Sequence, residues 1–319
     1  MSARLFLLQV CVAACAPALA AYPDKPIRLI IPQATSGSTD TLARMVGLKL
    51  ADALGQQVVA DNRPGANGII GTEIVAKAQA DGYTLLAGGT APLAINPSLY
   101  RNIPYDSIRD FAPVVNIAYS TSVLVVHPSV KATTLNELIA LAKSRPGEVR
   151  YASAGIGSSP HLSAELFRLS AGVNVVHVPY KGSTPGVIAT VSGETSLMFT
   201  GIASVVAHIK SNRLRVLSVN GPKRSAALPE VPTASEAGLP GFEVDFWIGY
   251  LTRAGTPRAA IERLNSEVNK ILREPAIRER MIVLGTEPVG GSVAEFDALI
   301  KADLAKWTKV VRAAKIGAE

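Results

Sequence analysis

The stretch Ser36-Gly37-Ser38-Thr39-Asp40 lies between an apolar segment and an amphipathic one, and Gly155-Ile156-Gly157-Ser158-Ser159 lies later in the same kind of context. Both stretches place glycine and hydroxyl residues where a predicted strand ends and a predicted helix begins. The first N–H groups of a helix lack intrahelical acceptors and carry partial positive charge. Such a site binds anions, so two of them predict an α/β protein that holds a small carboxylate between two lobes.

The segments around both loops alternate between strand and helix patterns. Ile27–Ile31 is typical of a buried strand, and apolar residues at every fourth position of Leu42–Leu54 predict a helix after the first loop. The pattern restarts at Val149–Ala152, before the second loop and its helix. This alternation predicts a parallel sheet covered by helices on both faces.

Two longer β-rich segments mark the crossings between the lobes. Val114–Val126 predicts the strand that enters the second lobe, and Glu243–Leu251 predicts the strand that returns. We therefore expect lobe 1 to comprise residues 22–122 and 246–319, and lobe 2 to comprise residues 123–245.

The N-terminus resembles a secretory signal peptide over residues 1–20. Arg4 precedes the apolar run Leu5–Leu19, and small residues suit cleavage after Ala20 or Ala21. In an alternative interpretation, Cys15 is the lipidated residue of a bacterial lipoprotein. Either route exports the chain from the cytoplasm.

Composition excludes several classes of function. Both cysteines, Cys11 and Cys15, lie in the predicted leader, so the mature chain would have no disulfide or thiol chemistry. Basic residues give a formal net charge of +7 but are scattered along the chain, which argues against a nucleic-acid partner. No metal-binding spacing occurs. Pro160 replaces the third glycine of a dinucleotide-binding loop, so we expect neither a metal nor a cofactor.

An enzyme remains an alternative at this stage. Ser158 and His161 could act as a nucleophile and base in a secreted serine hydrolase, but no G-x-S-x-G motif surrounds a serine. No neighbouring acid would orient His161 either. We expect a binding protein and no enzymatic activity.

The loop residues themselves suit carboxylate binding. Gly37 permits close approach of the backbone, Ser38 and Thr39 can donate hydrogen bonds, and Asp40 can cap N–H groups or accept from a ligand. Helix capping alone is the alternative role for these hydroxyls. The second loop offers the same chemistry through Gly155, Ser158 and Ser159.

Several longer motifs occur in order along the chain. They are Tyr22-Pro23-x-Lys25-Pro26-Ile27-Arg28-Leu29-Ile30, Gly37-Ser38-Thr39-Asp40-Thr41-Leu42-Ala43-Arg44, Asn62-Arg63-Pro64-Gly65-Ala66-Asn67-Gly68, Asp81-Gly82-Tyr83-Thr84-Leu85, His177-Val178-Pro179-Tyr180-Lys181-Gly182 and Leu228-Pro229-x-Val231-Pro232-Thr233. In this series the chain resembles the solute receptors of tripartite tricarboxylate transporters, also called the Bug family.

The resemblance implies a periplasmic receptor with a type II binding-protein fold, in which a cleft between two lobes closes on a small carboxylate. It implies that the two loops hold the ligand. The residues that it adds to the cleft are His161, Tyr180, Gly182, Thr200, Gly201, Asp245 and Trp247. The expected partners are a small organic acid and membrane components of a transporter, and we expect a monomer.

Gln33 departs from the family pattern, because an aromatic residue usually follows the proline at that place. An amide offers a donor and an acceptor, so we expect a more polar ligand that carries an amide, a hydroxyl or a second carboxylate. The sequence therefore predicts an extracytoplasmic receptor that binds a small organic mono- or dicarboxylate for a tripartite tricarboxylate-type transporter. A receptor that presents its ligand to a membrane sensor is an alternative that would use the same cleft.

Overall fold

The computed structural model describes residues 22–33, 35 and 38–317, including the main chain but not the side chain of Ser38. Its strands are β1 (Ile27–Ile31), β2 (Val58–Asn62), β3 (Thr84–Gly89), β4 (Phe111–Val126), β5 (Arg150–Ser153), β6 (Val176–Pro179), β7 (Leu197–Gly201), β8 (Arg215–Val219), β9 (Asp245–Arg253) and β10 (Thr286–Gly290). They form one sheet in the order β2-β1-β3-β9-β4-β7-β5-β6, and β8 and β10 also pair with β4.

Helices cover this sheet. They are α1 (Ser38–Leu54), α2 (Ile69–Ala76), α3 (Asn96–Leu99), α4 (Leu135–Ser144), α5 (Ser159–Ala171), α6 (Ser183–Val191), α7 (Ile202–Lys210), α8 (Arg258–Ile271), α9 (Pro275–Val283) and α10 (Val293–Ala314). A wide turn, Ala91–Ile95, leads directly into α3. Capping boxes precede α4 and α10, where Thr134 and Ser292 each accept from the main-chain N–H three residues later.

The long strand β4 joins the two halves of the sheet. Its residues up to Thr121 pair with β9 and β10, whereas Ser122–Val126 pairs with β7 and β8. The outer strands are parallel, but every pair that involves β4 or β9 is antiparallel. The prediction of a parallel sheet is therefore wrong at its centre, because β4 carries the chain out of one lobe and β9 carries it back.

The last helix also connects the two lobes. Phe296 and Ile300, in its first half, pack with Trp247 against β1 and β3. Trp307 and Val310, in its second half, belong to the buried cluster around Phe167 in the other lobe. β4, β9 and α10 thus each contribute to both lobes.

The division into residues 22–122, 123–245 and 246–319 stays a prediction, and α10 contributes to both cores whichever boundary is used. The predicted leader, with Cys15, lies outside the described residues. Within residues 22–33, 35 and 38–317, the helices are all too short or too polar to cross a membrane.

Candidate functional site

A cavity of about 350 Å³ lies between the two lobes. Its lining includes Gln33, Thr39, Asn67, Thr90, Ser120, Ser122, Ser158, Ser159, Ser163, Ser183, Phe199, Thr200, Gly201, Ser204, Phe246 and Trp247. Hydroxyl and amide groups dominate this set, with three aromatic rings as its main apolar surface. Of the described residues that line the cavity, none carries a charged side chain.

The first turns of four helices reach this cavity. Thr39 lies in the first turn of α1, Ser159 and Ser183 are the first residues of α5 and α6, and Gly201 precedes α7. Thr90 stands at the start of the wide turn before α3 in the same wall. Each helix start adds partial positive charge and N–H groups without intrahelical acceptors. The cavity therefore attracts an anion without a basic side chain.

Asp40 lies beside the cavity and does not line it. Its Oδ1 accepts from Arg44 Nε at 2.8 Å and from Asn62 Nδ2 at 2.9 Å, and the side chain is buried. The Arg44 guanidinium balances the carboxylate charge, which reduces its repulsion of an anionic ligand. The same Asn62 amide donates to the Gln33 carbonyl oxygen at 3.0 Å, so this network also supports the cavity mouth.

The first loop is described only in part. Gly37 lies outside the described residues, and the main chain of Ser38 begins α1. Thr39 is buried and lines the cavity. The roles that the sequence assigns to Gly37 and Ser38 stay predictions.

The second loop satisfies several of its own polar groups. The Ser158 hydroxyl donates to the Gly155 carbonyl oxygen at 2.6 Å, and the Gly157 N–H donates to Nδ1 of His161 at 3.0 Å. Gly155 and Gly157 have φ values of +117° and +74°, a conformation that glycine adopts readily and other residues avoid. Ser158 and His161 therefore act on the loop backbone and do not form a nucleophile–base pair. Ser159, at the cavity wall, is the better placed hydroxyl of this loop for a ligand.

The residues carried over from the family divide between the cavity and its surroundings. Thr200, Gly201 and Trp247 line it. The Tyr180 hydroxyl instead donates to Glu194 at 2.7 Å, and burial together with this carboxylate raises the pKa of the tyrosine to about 12. Gly182 precedes α6 with a φ of +113° and sets the direction of that helix.

Asp245 lies at the start of β9, next to the cavity-lining Phe246, and its Oδ1 is buried without a hydrogen-bond partner among the described residues. Burial raises the pKa of this carboxyl to about 7; nearby Lys306 opposes the rise, whereas the neighbouring acids support it. These acids are Glu243, Glu287 and Asp303. At neutral pH this carboxyl is therefore partly protonated.

Several cavity residues do not appear in the sequence-based set. Ser120 and Ser122 lie in β4, where the polar run Ser120-Thr121-Ser122 within a largely apolar strand is a signal that could have revealed them. Thr90 accepts from the Trp247 main-chain N–H at 2.9 Å and joins the turn after β3 to β9. Ser183 follows Gly182 directly and shares its helix start.

Asn67 is another residue that sequence reasoning missed. It has a φ of +52°, its side-chain amide donates to Oδ1 of buried Asn96, and its main-chain carbonyl oxygen accepts from the Asn96 amide. Its position in a Gly-Ala-Asn-Gly turn, where left-handed conformations are common, is the available sequence signal. Among the described residues, no group of three His, Cys, Asp or Glu side chains could hold a metal ion.

Comparison with known proteins agrees with this architecture. The model of the tripartite tricarboxylate transporter family receptor matches residues 42–316. BugT of Bordetella pertussis is 40% identical over 292 residues, which cover 91% of this chain and 90% of BugT.

Two solved structures are similar over almost their whole length. R. palustris Rpa4515, solved with adipate, has a TM-score of 0.80 and 35% identity, covering 93% of this chain and 99% of that one. MatC from Rhodopseudomonas palustris, solved with bound malate, has a TM-score of 0.76 and 29% identity, covering 91% of this chain and 100% of MatC. The chain therefore belongs to the tripartite tricarboxylate transporter receptor family.

Proposed function

We propose that this protein is a periplasmic receptor that binds a small organic dicarboxylate in the cavity between its lobes and delivers it to the membrane components of a tripartite transporter. The observation that carries the proposal is an uncharged cavity wall into which the first turns of four helices project. A buried carboxylate is stable only when its oxygens accept hydrogen bonds. Helix starts and hydroxyl groups supply such donors.

The number of donors suffices for a useful affinity. A hydrogen bond to a charged group contributes roughly 1.5–3 kcal/mol, and a micromolar dissociation constant corresponds to about −8 kcal/mol. Several such bonds from Ser159, Thr200 and the helix N–H groups therefore supply binding free energy of that order. An uncharged wall also allows release, because no buried ion pair has to be broken.

A second cavity supports a ligand with two polar ends. This cavity, of about 280 Å³, shares Gln33, Asn67 and Pro92 with the larger one. A ligand can place one carboxylate at the helix starts and extend its other end toward the Gln33 and Asn67 amides. The neighbours solved with adipate and malate hold dicarboxylates.

Ligand-induced closure follows from the connections between the lobes. Asn116 pairs with Gly249, and Thr121 pairs with Asp245, so β4 and β9 cross side by side. We propose that these crossing strands act as the hinge. A ligand that contacts both lobes stabilises the closed form, because only a difference in affinity between two states shifts their populations. The closed form would then be the one that the membrane partner recognises.

The test is binding of defined acids to the purified mature chain, followed by native mass spectrometry and thermal shift. The panel is malate, adipate, succinate, citrate and benzoate, together with the dimethyl ester of adipate. We expect at least one dicarboxylate to bind unchanged and the ester not to bind. Thr200→Val should weaken that binding about tenfold, whereas Ser211→Ala, at the exposed end of α7, should not. Failure of all the acids, or consumption of one, would overturn the proposal.

A further inference from the structure

Two histidines are stacked against each other next to the second loop. The rings of His161 and His177 lie 4.0 Å apart between centroids and are within 7° of parallel. The Tyr151 ring lies 4.9 Å from His177 and is also nearly parallel to it. His161 is buried, and neither imidazole lines the cavity. The proposed binding site does not use either ring directly.

Each imidazole is connected to a different glycine of the loop. Nδ1 of His161 accepts from the Gly157 N–H at 3.0 Å. Nε2 of His177 bonds the Ser153 hydroxyl at 2.6 Å, and the same hydroxyl oxygen accepts from the Gly155 N–H at 3.0 Å. The two contacts fix the loop at both of its glycines, which would otherwise be the most flexible positions of its backbone.

The contact from Gly157 also fixes the protonation state of His161. A main-chain N–H can only donate, so Nδ1 must present a lone pair and the ring must be neutral. Burial and the adjacent His177 lower the pKa of His161 to about 4, against an opposing effect of Glu165. Burial likewise lowers the pKa of His177. The charged groups around the stack are Glu165, which accepts from the Tyr151 hydroxyl, and Arg168, which is paired with Glu165.

We propose that His161 and His177 are positioning residues, which hold Gly157 and Gly155 in the loop conformation that presents the start of α5 to a carboxylate. The inference rests on the proposed function, because it assigns these rings a role in that binding site. Ordering a glycine loop during binding costs conformational entropy, and a loop that is already ordered avoids this cost. The stack therefore raises affinity without contacting the ligand.

The proposal predicts a specific dependence on pH. When His161 is protonated, Nδ1 carries a hydrogen and can no longer accept from Gly157. Because its pKa is low, the contact persists at neutral pH and is lost only as the pH falls toward about 4. We expect the loop to loosen, and dicarboxylate affinity to fall, over that acidic range.

Two substitutions of His161 distinguish the effect of its hydrogen-bond acceptor from the effect of its stacked ring. His161→Asn places an amide oxygen near the position of Nδ1 and keeps an acceptor for Gly157. His161→Phe keeps a flat ring for stacking and removes the acceptor. Ser153→Ala breaks the connection from His177 to Gly155 without touching the stack. His208→Phe, in α7 and outside the cavity wall, is the matched control.

The first readout needs no ligand. The chain is labelled with ¹⁵N-glycine, and hydrogen exchange of the Gly155 and Gly157 amides is followed by NMR from pH 7 to pH 4. We expect slow exchange of Gly157 in the wild type and His161→Asn, and faster exchange, by about tenfold, in His161→Phe. Ser153→Ala should accelerate hydrogen exchange of the Gly155 amide. Equal protection of Gly157 in His161→Phe and the wild type would overturn the proposal.

The second readout is affinity for malate and adipate at pH 7. We expect His161→Phe to bind about tenfold more weakly, His161→Asn to recover most of the loss, and His208→Phe to match the wild type. Equal affinity of His161→Phe and the wild type would overturn the positioning role. If the wild type binds no carboxylate at all, the proposed function fails instead, and glycine exchange still decides whether the rings hold the loop.

Discussion

Leu99 packs directly against Gly157, so the end of α3 supports the second loop. A Cβ at Gly157 would overlap the Leu99 side chain, and the glycine φ of +74° is itself strained for any other residue. The loop is thus confined by Leu99 on one side and by His161 on the other. We infer that its shape is important for binding.

Gly157→Ala should therefore reduce both stability and affinity. The added methyl group meets Leu99 and imposes backbone strain, so we expect unfolding to become easier by about 1–3 kcal/mol. Dicarboxylate binding should weaken by about tenfold or more, because the loop must move. Thermal melts and calorimetric titration with adipate measure the two effects.

Gly172→Ala is the matched control for this substitution. Gly172 ends α5 with a φ of +61°, but a Cβ there would meet no atom within 4 Å. We expect the Gly172→Ala variant to lose about 1 kcal/mol of stability through backbone strain and to bind the ligand with unchanged affinity. If Gly157→Ala and Gly172→Ala weaken binding equally, the loss of affinity comes from a change in helix α5 as a whole and not from the Leu99 contact.

The two serines of the second loop should differ in their effect on affinity. Both serines line the cavity, but the Ser158 hydroxyl is occupied by the Gly155 carbonyl oxygen. We expect Ser159→Ala to weaken dicarboxylate binding by about tenfold, as for the loss of one charge-assisted hydrogen bond. Ser158→Ala should have the smaller effect on affinity. A larger loss for Ser158→Ala in the same titration would show that its hydroxyl turns to the ligand.

Gln33→Phe should change the ligand preference. Gln33 is exposed and lines both cavities, so a phenyl ring there would cover the apolar part of a ligand. We expect the affinity ratio of benzoate to malate to rise by about tenfold, because burial of such a ring contributes a few kcal/mol at most. Calorimetric titration of both acids gives the ratio. Gln57→Phe, which is exposed before β2, is the control, and an unchanged ratio in Gln33→Phe would refute the role.

Local features of the fold could be predicted from the sequence. The spacing of apolar residues in Leu42–Leu54 identifies α1, and Thr134 with Glu137 identifies the start of α4. Both depend on neighbours within one or two turns of the chain. The antiparallel centre of the sheet depends on which strands pair although they are far apart in the sequence. The pattern of apolar residues in a strand does not show whether it runs parallel or antiparallel to its neighbours.

Part of the candidate site, like part of the fold, could be predicted from the sequence. Thr39 and Ser159 lie next to glycines at helix starts, where short-range sequence already implies an anion site. Ser120 and Ser183 reach the same cavity only because β4 and α6 converge on it in three dimensions. His161 was expected to line the cleft, but in the structure it accepts from the Gly157 main chain and does not line the cavity. The sequence indicates that this histidine is near the ligand loop and does not indicate whether it faces the ligand.

Asp245 makes stability depend on pH in a defined direction. Burial raises the pKa of this carboxyl from 3.8 to about 7, so the folded chain holds a proton that the unfolded chain releases. Between these values the folded state binds more protons, and its stability falls as the pH rises. The stabilising effect of the protonated form is complete below about pH 4 and is lost as the pH passes through about 7.

Asp245→Asn removes this titration and keeps a neutral group of the same shape. We expect the variant to gain about 1–3 kcal/mol of stability relative to the wild type at pH 8, where the wild type must ionise a buried carboxyl whose Oδ1 has no hydrogen-bond partner among the described residues. At pH 5 the gain should be smaller, because the wild type loses most of this stability only as the pH rises further, toward the folded-state pKa of about 7. Urea unfolding at both pH values measures the difference. Asp52→Asn, which changes an exposed carboxylate of α1, should show no such dependence on pH. A gain for Asp245→Asn that is the same at pH 5 and pH 8 would mean that this carboxyl titrates normally in the folded protein.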